Sequence, residues 1–541
     1  MSKEKTLWAF DCETPMFKYG RMPVPFLWIA LSEHGDRYVF WGENATQEFM
    51  RWIMTLNNDL LIAHNGGKFD TLFLKDIISG MILMVDGRIL KCSPKKGVEI
   101  RDSFAILPMA LKKLGAKGTI DLNKHEDGVR DIHRAEIIRY CMQDCVVLLE
   151  AVQNFYRMAG RRRLTIASQA SAELRAIYPN LLKMGSIHHQ EFSPFFFGGR
   201  VQAMKKGIMR GVFKLYDVNS MYPAVMAHEQ HPHGASYSCK DFSIKNLPEH
   251  GAGFFMGRCD TRSAFPVRQD NKTTPYIIGR NVFVKITLHE VIAALQCGAA
   301  SNFIGKIFIP EQHTNFADFI LPHFASRKKA KAIGDSGADL YHKLIPNSSY
   351  GRFAMSPDGR EETYYADHGE KLVTCKCANK IIHEIDCDRW QVKDIDLTAE
   401  RYIYSREVSR PWQFYEDVAT GASITGAARA RLMRAISTAK NPLYCDTDSL
   451  LCESIGEKVG NELGQWKEEC VCDTAAIAGK KMYALFDGDE CVKQASKGVR
   501  ASPEQIYHIS KDATNEIEIF NDAPVMRLKG SKFMSRKIRM T

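Results

Sequence analysis

No apolar run in this sequence approaches the ~18 residues that a membrane-spanning helix requires, which removes membrane-embedded functions from consideration. No charged and apolar leader precedes Trp8, and the 15 cysteines, an odd number, fall into no repeating framework. Both absences argue against a secreted, disulfide-stapled protein and for free thiols in a reducing cytoplasm. Cys375, Cys377 and Cys387 lack a fourth ligand at a familiar spacing, so a structural zinc is not expected. Acids are also in deficit, 63 against 73 Lys and Arg, for a net charge of +10. That surplus suits a polyanionic partner held by salt-sensitive contacts, although a merely basic surface would give the same count. What remains is an ordinary globular chain of 541 residues, 45% hydrophobic and 25% charged, long enough for about three to five domains.

Residues 440 to 452 read Lys-Asn-Pro-Leu-Tyr-Cys-Asp-Thr-Asp-Ser-Leu-Leu-Cys, placing Asp446 and Asp448 at the tip of an apolar hairpin. Two unpaired acids there repel each other, and a divalent cation is their natural compensator, with hard oxygen ligands suiting Mg²⁺. Taken alone, Asp-Thr-Asp is better explained as a polar turn. A second acidic strand reverses that balance: within residues 212 to 226, Asp217 ends an apolar strand, and Ser220-Met-Tyr222-Pro223 opens a helix. Asp217 beside Asp446 and Asp448 would form a three-carboxylate cradle for two metals.

A separate acidic set lies near the start of the chain. Asp11 and Glu13 alternate along a strand and so share one face. Asp70 closes His64-Asn65-Gly-Gly-Lys-Phe69-Asp70 after the apolar run of residues 60 to 63, and Tyr140 and Asp144 sit on a helix backed by Val146 to Leu149. Four acids from three segments are thereby expected to converge.

These stretches resemble known motifs. D-V-N-S-M-Y-P, K-L-I-P-N-S-S-Y-G (343 to 351) and Y-C-D-T-D-S are similar, in order and spacing, to motifs A, B and C of family B DNA polymerases. The early set resembles the D-x-E, N-x(2-3)-F-D and Y-x(3)-D motifs of proofreading exonucleases. Further details match the protein-primed branch of bacteriophages and linear plasmids, over nearly the whole chain. The resemblance implies an α/β multidomain fold, with an RNase H-like 3′-5′ exonuclease domain followed by a right-hand polymerase domain carrying two insertions. The expected boundaries are exonuclease 1–190, linker and motif A palm 191–228, first insertion, associated with the terminal protein, 229–315, fingers 316–356, second insertion for processivity and strand displacement 357–410, motif C palm 411–505 and thumb 506–541.

The resemblance also assigns roles. Asp217, Val218 and Asp448 would hold metal at the polymerase site, with Asp446 completing the cluster; Asp11, Glu13, Asp70 and Asp144 would do so at the exonuclease site, where Tyr140 positions water. Two ions per site are implied, Mg²⁺ with Mn²⁺ able to substitute. Val218, Tyr222, Lys331, Lys343, Asn347 and Tyr350 would line the nucleotide pocket, Tyr222 excluding a ribose hydroxyl. Pro346 is expected to kink the motif B helix. DNA contacts would come from His64, Asn65, Phe69, Ser103, Phe104, the adjacent Gly198 and Gly199, Thr425 and Arg429 of a T-x-x-A-R motif, and Lys481 and Tyr483 of K-x-Y. Lys117 stands where relatives carry a catalytic lysine, and a surface lysine is the competing reading. The basic stretch from Met526 is expected to grip duplex backbone or to be disordered. The implied partners are primer-template DNA, single-stranded DNA, dNTPs and a terminal protein, for a monomer in the cytoplasm, that of the host if the protein is viral. The rival reading is a nuclease whose polymerase half has become a non-catalytic DNA-binding scaffold; a reverse transcriptase or RNA polymerase is a second rival.

Overall fold

The computed structural model describes residues 4–181, 183–269, 275–356, 360–367, 390–396, 401–409, 411–413 and 416–540. The first of two large sheets grows from Thr6–Glu13, which pairs antiparallel with Leu27–Ser32 and parallel with Asp59–Ala63. Leu7 to Phe10, Leu27 to Leu31 and Leu60 to Ala63 are all buried, as expected where a sheet is covered on both faces and its strands read as unbroken apolar runs. Helix Arg134–Ala159 lies against the first two strands, with Ile137, Cys141, Cys145 and Leu148 facing inward.

This sheet has ten strands, and three of them come from far along the chain. Arg360–Asp367 pairs antiparallel with Gly80–Val85, and Arg401–Val408 and Gln391–Asp396 extend the edge. The described strands of residues 357 to 410 are thus an extension of the N-terminal sheet. The join is sealed by buried Tyr365, whose hydroxyl donates to Asp396 (2.8 Å), a carboxylate that also takes Lys75 at 2.8 Å. The Lys371 to Cys377 run and Cys387 lie outside the described residues.

The second large sheet has seven strands, ordered Glu490–Ser496, Met482–Asp487, Trp466–Gly479, Gly207–Val218, Ser449–Cys452, Tyr444–Asp446, Val201–Ala203. Helix Val418–Thr438 is buried along most of its length. It is packed so closely that a Cβ on Gly426 would lie 2.2 Å from Thr287 Oγ1. Thr287 in turn caps helix Leu288–Gln296 through a reciprocal capping box with Glu290. That helix continues directly from the strand Tyr276–Thr287, one of four in a small sheet.

Helices Ala317–Ala332 and Ser336–Ser349 pack together as a pair across a short turn. Arg327 and Asp339 clamp them at 2.8 Å. Pro346 does not end the second helix, which continues to Ser349.

The C-terminal stretch is folded. Glu516–Phe520 pairs with Ser535–Arg539, and the turn between Val525–Arg527 and Gly530–Lys532 carries Leu528 into the hydrophobic core of the first large sheet. Lys529 pairs with Asp394 at 2.5 Å. The end of the chain is thus fastened to the sheet that began it.

Glu290 and Arg429 are both fully buried and paired through two hydrogen bonds of 2.8 Å. Glu290→Ala strands the guanidinium without a counter-charge and is expected to cost about 3–5 kcal/mol in urea unfolding. A Glu290→Leu, Arg429→Met double variant should recover most of that loss.

Candidate functional site

The carboxylates near the centre of the seven-stranded sheet owe their proximity to strand register. Asp217 lies opposite Ser449, and the amide of Val218 donates to the carbonyl of Asp448 at 2.8 Å. The hairpin tip is drawn tight by Thr447, with φ of 60°, and by the Asp448 amide bonding the carbonyl of Asp446 at 2.6 Å. Burial pushes Asp217 up to about 7, helped by the charges of Asp448 and Glu469 and opposed by Lys493 and Lys343. Burial likewise lifts Asp448 to about 6, with Asp446 and Glu469 adding to it. Neither acid forms an ion pair among the described residues.

Asp446 differs from the other two. Lys481 Nζ holds it at 2.9 Å, and the backbone of Lys481 is fixed by the hydroxyl of Tyr444. The cradle is therefore two free acids and one already neutralised. Glu469, which the sequence did not single out, supplies the further negative charge. A register shift between Glu468 and Cys470 bulges the strand beside Asp217, and Lys493 takes Glu469 at 2.7 Å. The Glu468-Glu469 pair following buried Trp466 is the signal that could have flagged it.

Lys343 acts electrostatically on Asp217, and its own pKa is lowered by burial and then by Arg327, with Lys113 and Lys331 contributing. With Arg327, His342, Pro346 and Asn347 it lines a crevice against Ser220 and Pro223, while Lys331 is exposed. The Tyr222 and Tyr350 rings stack with centroids 3.9 Å apart, close enough to Asp448 to feel its charge. Tyr483 is buried against Tyr444.

Arg429 and Thr425, two of the residues expected to contact DNA, are turned inward. Arg429 is 2% exposed, with its guanidinium consumed by Glu290 and by the carbonyls of Phe197 and Gly198. Thr425 is equally buried and bonds the carbonyl of Ala422 within its own helix. A small-residue helix in contact on several sides leaves no free face for either. The glycine pair is split: a Cβ on Gly199 would lie 2.6 Å from Thr447 Oγ1, so that glycine admits the acidic hairpin, whereas Gly198 is exposed with open space around it.

On the ten-stranded sheet the second set does converge. Asp11 is held well above the usual carboxylate range by burial and by Asp70 and Glu13; Asp70 is pushed up to about 6 by burial. Asp144 is raised by burial despite Lys117 at 2.6 Å. Lys117 also lies over the Tyr140 ring at 5.0 Å, so it is part of the site rather than a surface lysine. His125, unanticipated from sequence, is fully buried with Nε2 3.3 Å from Glu13. One oxygen each of Asp70 and Asp144 is buried without a hydrogen-bond partner. The crowded carboxylates on both sheets, Asp11 with Asp70 and Asp217 with Asp448, fit divalent cations.

A cleft of about 320 Å³ opens onto this second set, lined by Asp11, Asn65, Phe104, Lys117 and Asp144. Asn65 is exposed, with φ of 62°, and bonded by Arg88, which also lies over the Phe104 ring. Phe69 is half-buried against Phe17 and Phe73. His64 and Ser103, expected to touch DNA, brace the cleft instead. His64 bonds Ser103 Oγ (2.9 Å) and the Met109 carbonyl (2.7 Å), and Ser103 is buried beneath it.

Among known proteins, a family model described as DNA polymerase type B, organellar and viral, matches residues 116–442. The chain is 37% identical over 98% of both chains to the DNA-directed DNA polymerase of Enterobacteria phage PRD1. It is 23% identical to the DNA polymerase of Streptococcus phage Cp-1, covering 76% of this chain and 73% of that one. The fold is that of phi29 DNA polymerase, solved with primer-template DNA, at a TM-score of 0.70 and 16% identity over 99% of this chain and 100% of the other.

The raised acids set the pH response in metal-free buffer. Unfolded, Asp217 and Asp448 release protons near their ordinary 3.8; folded, they hold them to about 7 and about 6. The native state then binds more protons across that window, and stability falls as pH rises through it. Asp217→Asn should flatten the decline, read as the urea midpoint with chelator at about pH 5 and about pH 7.5.

Proposed function

This chain is a DNA-directed DNA polymerase of the organellar and viral type B family, and from that premise we propose that it is protein-primed, proofreads with its own 3′-5′ exonuclease and displaces strands as it copies. The observation that supports the reading is two separate groups of crowded, half-buried to buried carboxylates whose pKa values are raised, one on each large sheet. In this reading the spans 1–190, 191–228, 229–315, 316–356, 357–410, 411–505 and 506–541 act as exonuclease, linker and palm, first insertion, fingers, second insertion, palm and thumb.

At the polymerase site Asp217 and Asp448 flank the place where the primer oxygen meets the α-phosphate of a dNTP. Divalent cations, Mg²⁺ or Mn²⁺, two to a site, would supply Lewis-acid stabilisation of the attacking and leaving oxygens when bound there. Lys343 and Arg327 face the acids from the helix pair, where cations suit a triphosphate, and exposed Lys331 lies farther out along the same path. The Tyr222–Tyr350 stack walls the sugar side of the pocket. Lys481 holds Asp446 and brings its charge beside the primer end, while Gly198 offers a backbone without a side chain to the passing strand. At the exonuclease site Tyr140 and Lys117 orient water toward a frayed 3′ end lodged between Asn65, Phe69 and Phe104, whose rings give faces for base stacking. The solved phi29 DNA polymerase complexes carry primer-template DNA, single-stranded DNA and incoming nucleotides, and the same partners, with a terminal protein, are proposed for this monomeric enzyme of the host cytoplasm.

The two sites lie on different sheets, so they should separate genetically. Asp448→Ala is expected to reduce primer extension at least a hundredfold, roughly 2.7 kcal/mol of barrier, while sparing single-strand degradation. Asp11→Ala with Glu13→Ala should do the opposite. Loss of both activities from a folded single-site variant would defeat the two-site reading, and a chain that degrades but never extends would support the scaffold alternative.

Processivity is assigned to the closure between the C-terminal hairpin and the sheet edge of the second insertion. Leu528→Asp buries a carboxylate in the apolar core and removes that closure. It should leave short extensions intact and shorten products several-fold on long templates in a single binding event. Unchanged product lengths would remove the hairpin from the processivity device.

A further inference from the structure

The exonuclease carboxylates are surrounded by sulfur. Cys12 stands between Asp11 and Glu13, and Cys141 and Cys145 project from helix Arg134–Ala159 on the turns that also carry Tyr140 and Asp144. Cys145 turns its sulfur toward the Ile29 carbonyl at 3.9 Å. Cys141 instead points at the acids: its Sγ lies 4.0 Å from Asp11 Oδ2, and one donor atom each of Asp11, Glu13 and Cys141 fall within 4.8 Å of one another. Asp70, 4% exposed, adds an oxygen without a hydrogen-bond partner, and its charge acts directly on Asp11.

A purely oxygen-lined site selects hard cations such as Mg²⁺, whereas a thiolate ligand favours soft or borderline ones. With Zn–S near 2.3 Å and Zn–O near 2.0 Å, a tetrahedral ion needs its sulfur and oxygen ligands about 3.5 Å apart. The observed 4.0 Å separation requires a closure that side-chain rotation can supply. We propose that Asp11, Glu13 and Cys141 form a site for a thiophilic divalent cation, of the Zn²⁺ or Cd²⁺ class, overlapping the exonuclease centre. The metal–sulfur bond forms as the thiol proton leaves to water, so the sulfur binds as thiolate with no change of oxidation state. Occupancy by such an ion ties Asp11 and Glu13 into a coordination set that Mg²⁺ does not share, so trace soft metal stops proofreading while the Asp217–Asp448 site, which has no thiol ligand among the described residues, goes on extending. This inference rests on the exonuclease reading above.

The test titrates Cd²⁺ into the full chain, its Cys141→Ser variant and a Cys145→Ser control, following thiolate-to-cadmium absorbance. Single-strand degradation and primer extension in Mg²⁺ are measured in parallel. The parent and Cys145→Ser should share a high-affinity absorbance step that Cys141→Ser lacks, with affinity weakened at least about tenfold, the lower end of what even outer ligands contribute. That same step should coincide with loss of degradation but not of extension, and extension also reports that each variant is folded. Identical absorbance titrations for the parent and Cys141→Ser would overturn the thiol site. A parent that degrades no single strands in Mg²⁺ or Mn²⁺ would instead remove the exonuclease reading, and the absorbance difference would still decide whether Cys141 binds metal.

Discussion

Holding carboxylates together out of water is the constraint from which the rest of this molecule follows. Asp217 and Asp448 are pushed toward neutrality by burial and by neighbouring carboxylates, and Asp11 and Asp70 repeat the pattern on the other sheet. Such clusters persist only where backbone geometry leaves them no alternative. At the polymerase site the strand register puts Asp217 opposite Ser449, and the Thr447 turn pins the second acid beside it. The cations are graded. Lys481 and Lys493 sit close, on Asp446 and Glu469, while Lys343 and Lys331 stand off, so the two innermost acids stay free.

Much of the surrounding structure maintains that geometry. Arg429 gathers the helix Val418–Thr438, the capped helix of the first insertion and the linker carbonyls of Phe197 and Gly198 into one buried knot. Gly199 is part of the same arrangement because only a residue without Cβ lets that linker pass the Thr447 turn. The stretch of residues 197–199, helix Leu288–Gln296 and the acidic hairpin are thereby mechanically continuous. At larger scale, the second insertion and the C-terminal hairpin both fasten to the N-terminal sheet, so the regions read as catalytic and those read as processive share one core.

The same economy of contacts explains why several motif residues turn inward. Thr425, Arg429, His64 and Ser103 stand in patterns that read as DNA contacts, and each has its polar groups satisfied by the protein. In the proposed reading Arg429 acts on a bound strand through Gly198, and His64 through the loop that presents Asn65 and Phe104.

The sequence by itself determined the chemistry. The acids of D-V-N-S-M-Y-P, Y-C-D-T-D-S and the three early segments, with their spacing, identify two sites, because carboxylates at strand ends beside helix starts are costly unless they have a ligand to hold. Strand alternation was legible because it depends on local period. Only the tertiary structure decided which acids stay unpaired, that Glu469 joins them through a bulge, that His125 and Lys117 stand beside the early set, and that the strands after residue 360 complete the N-terminal sheet. Each of these is a contact between segments tens to hundreds of residues apart, and side-chain burial and pairing across such distances have no signature in local spacing.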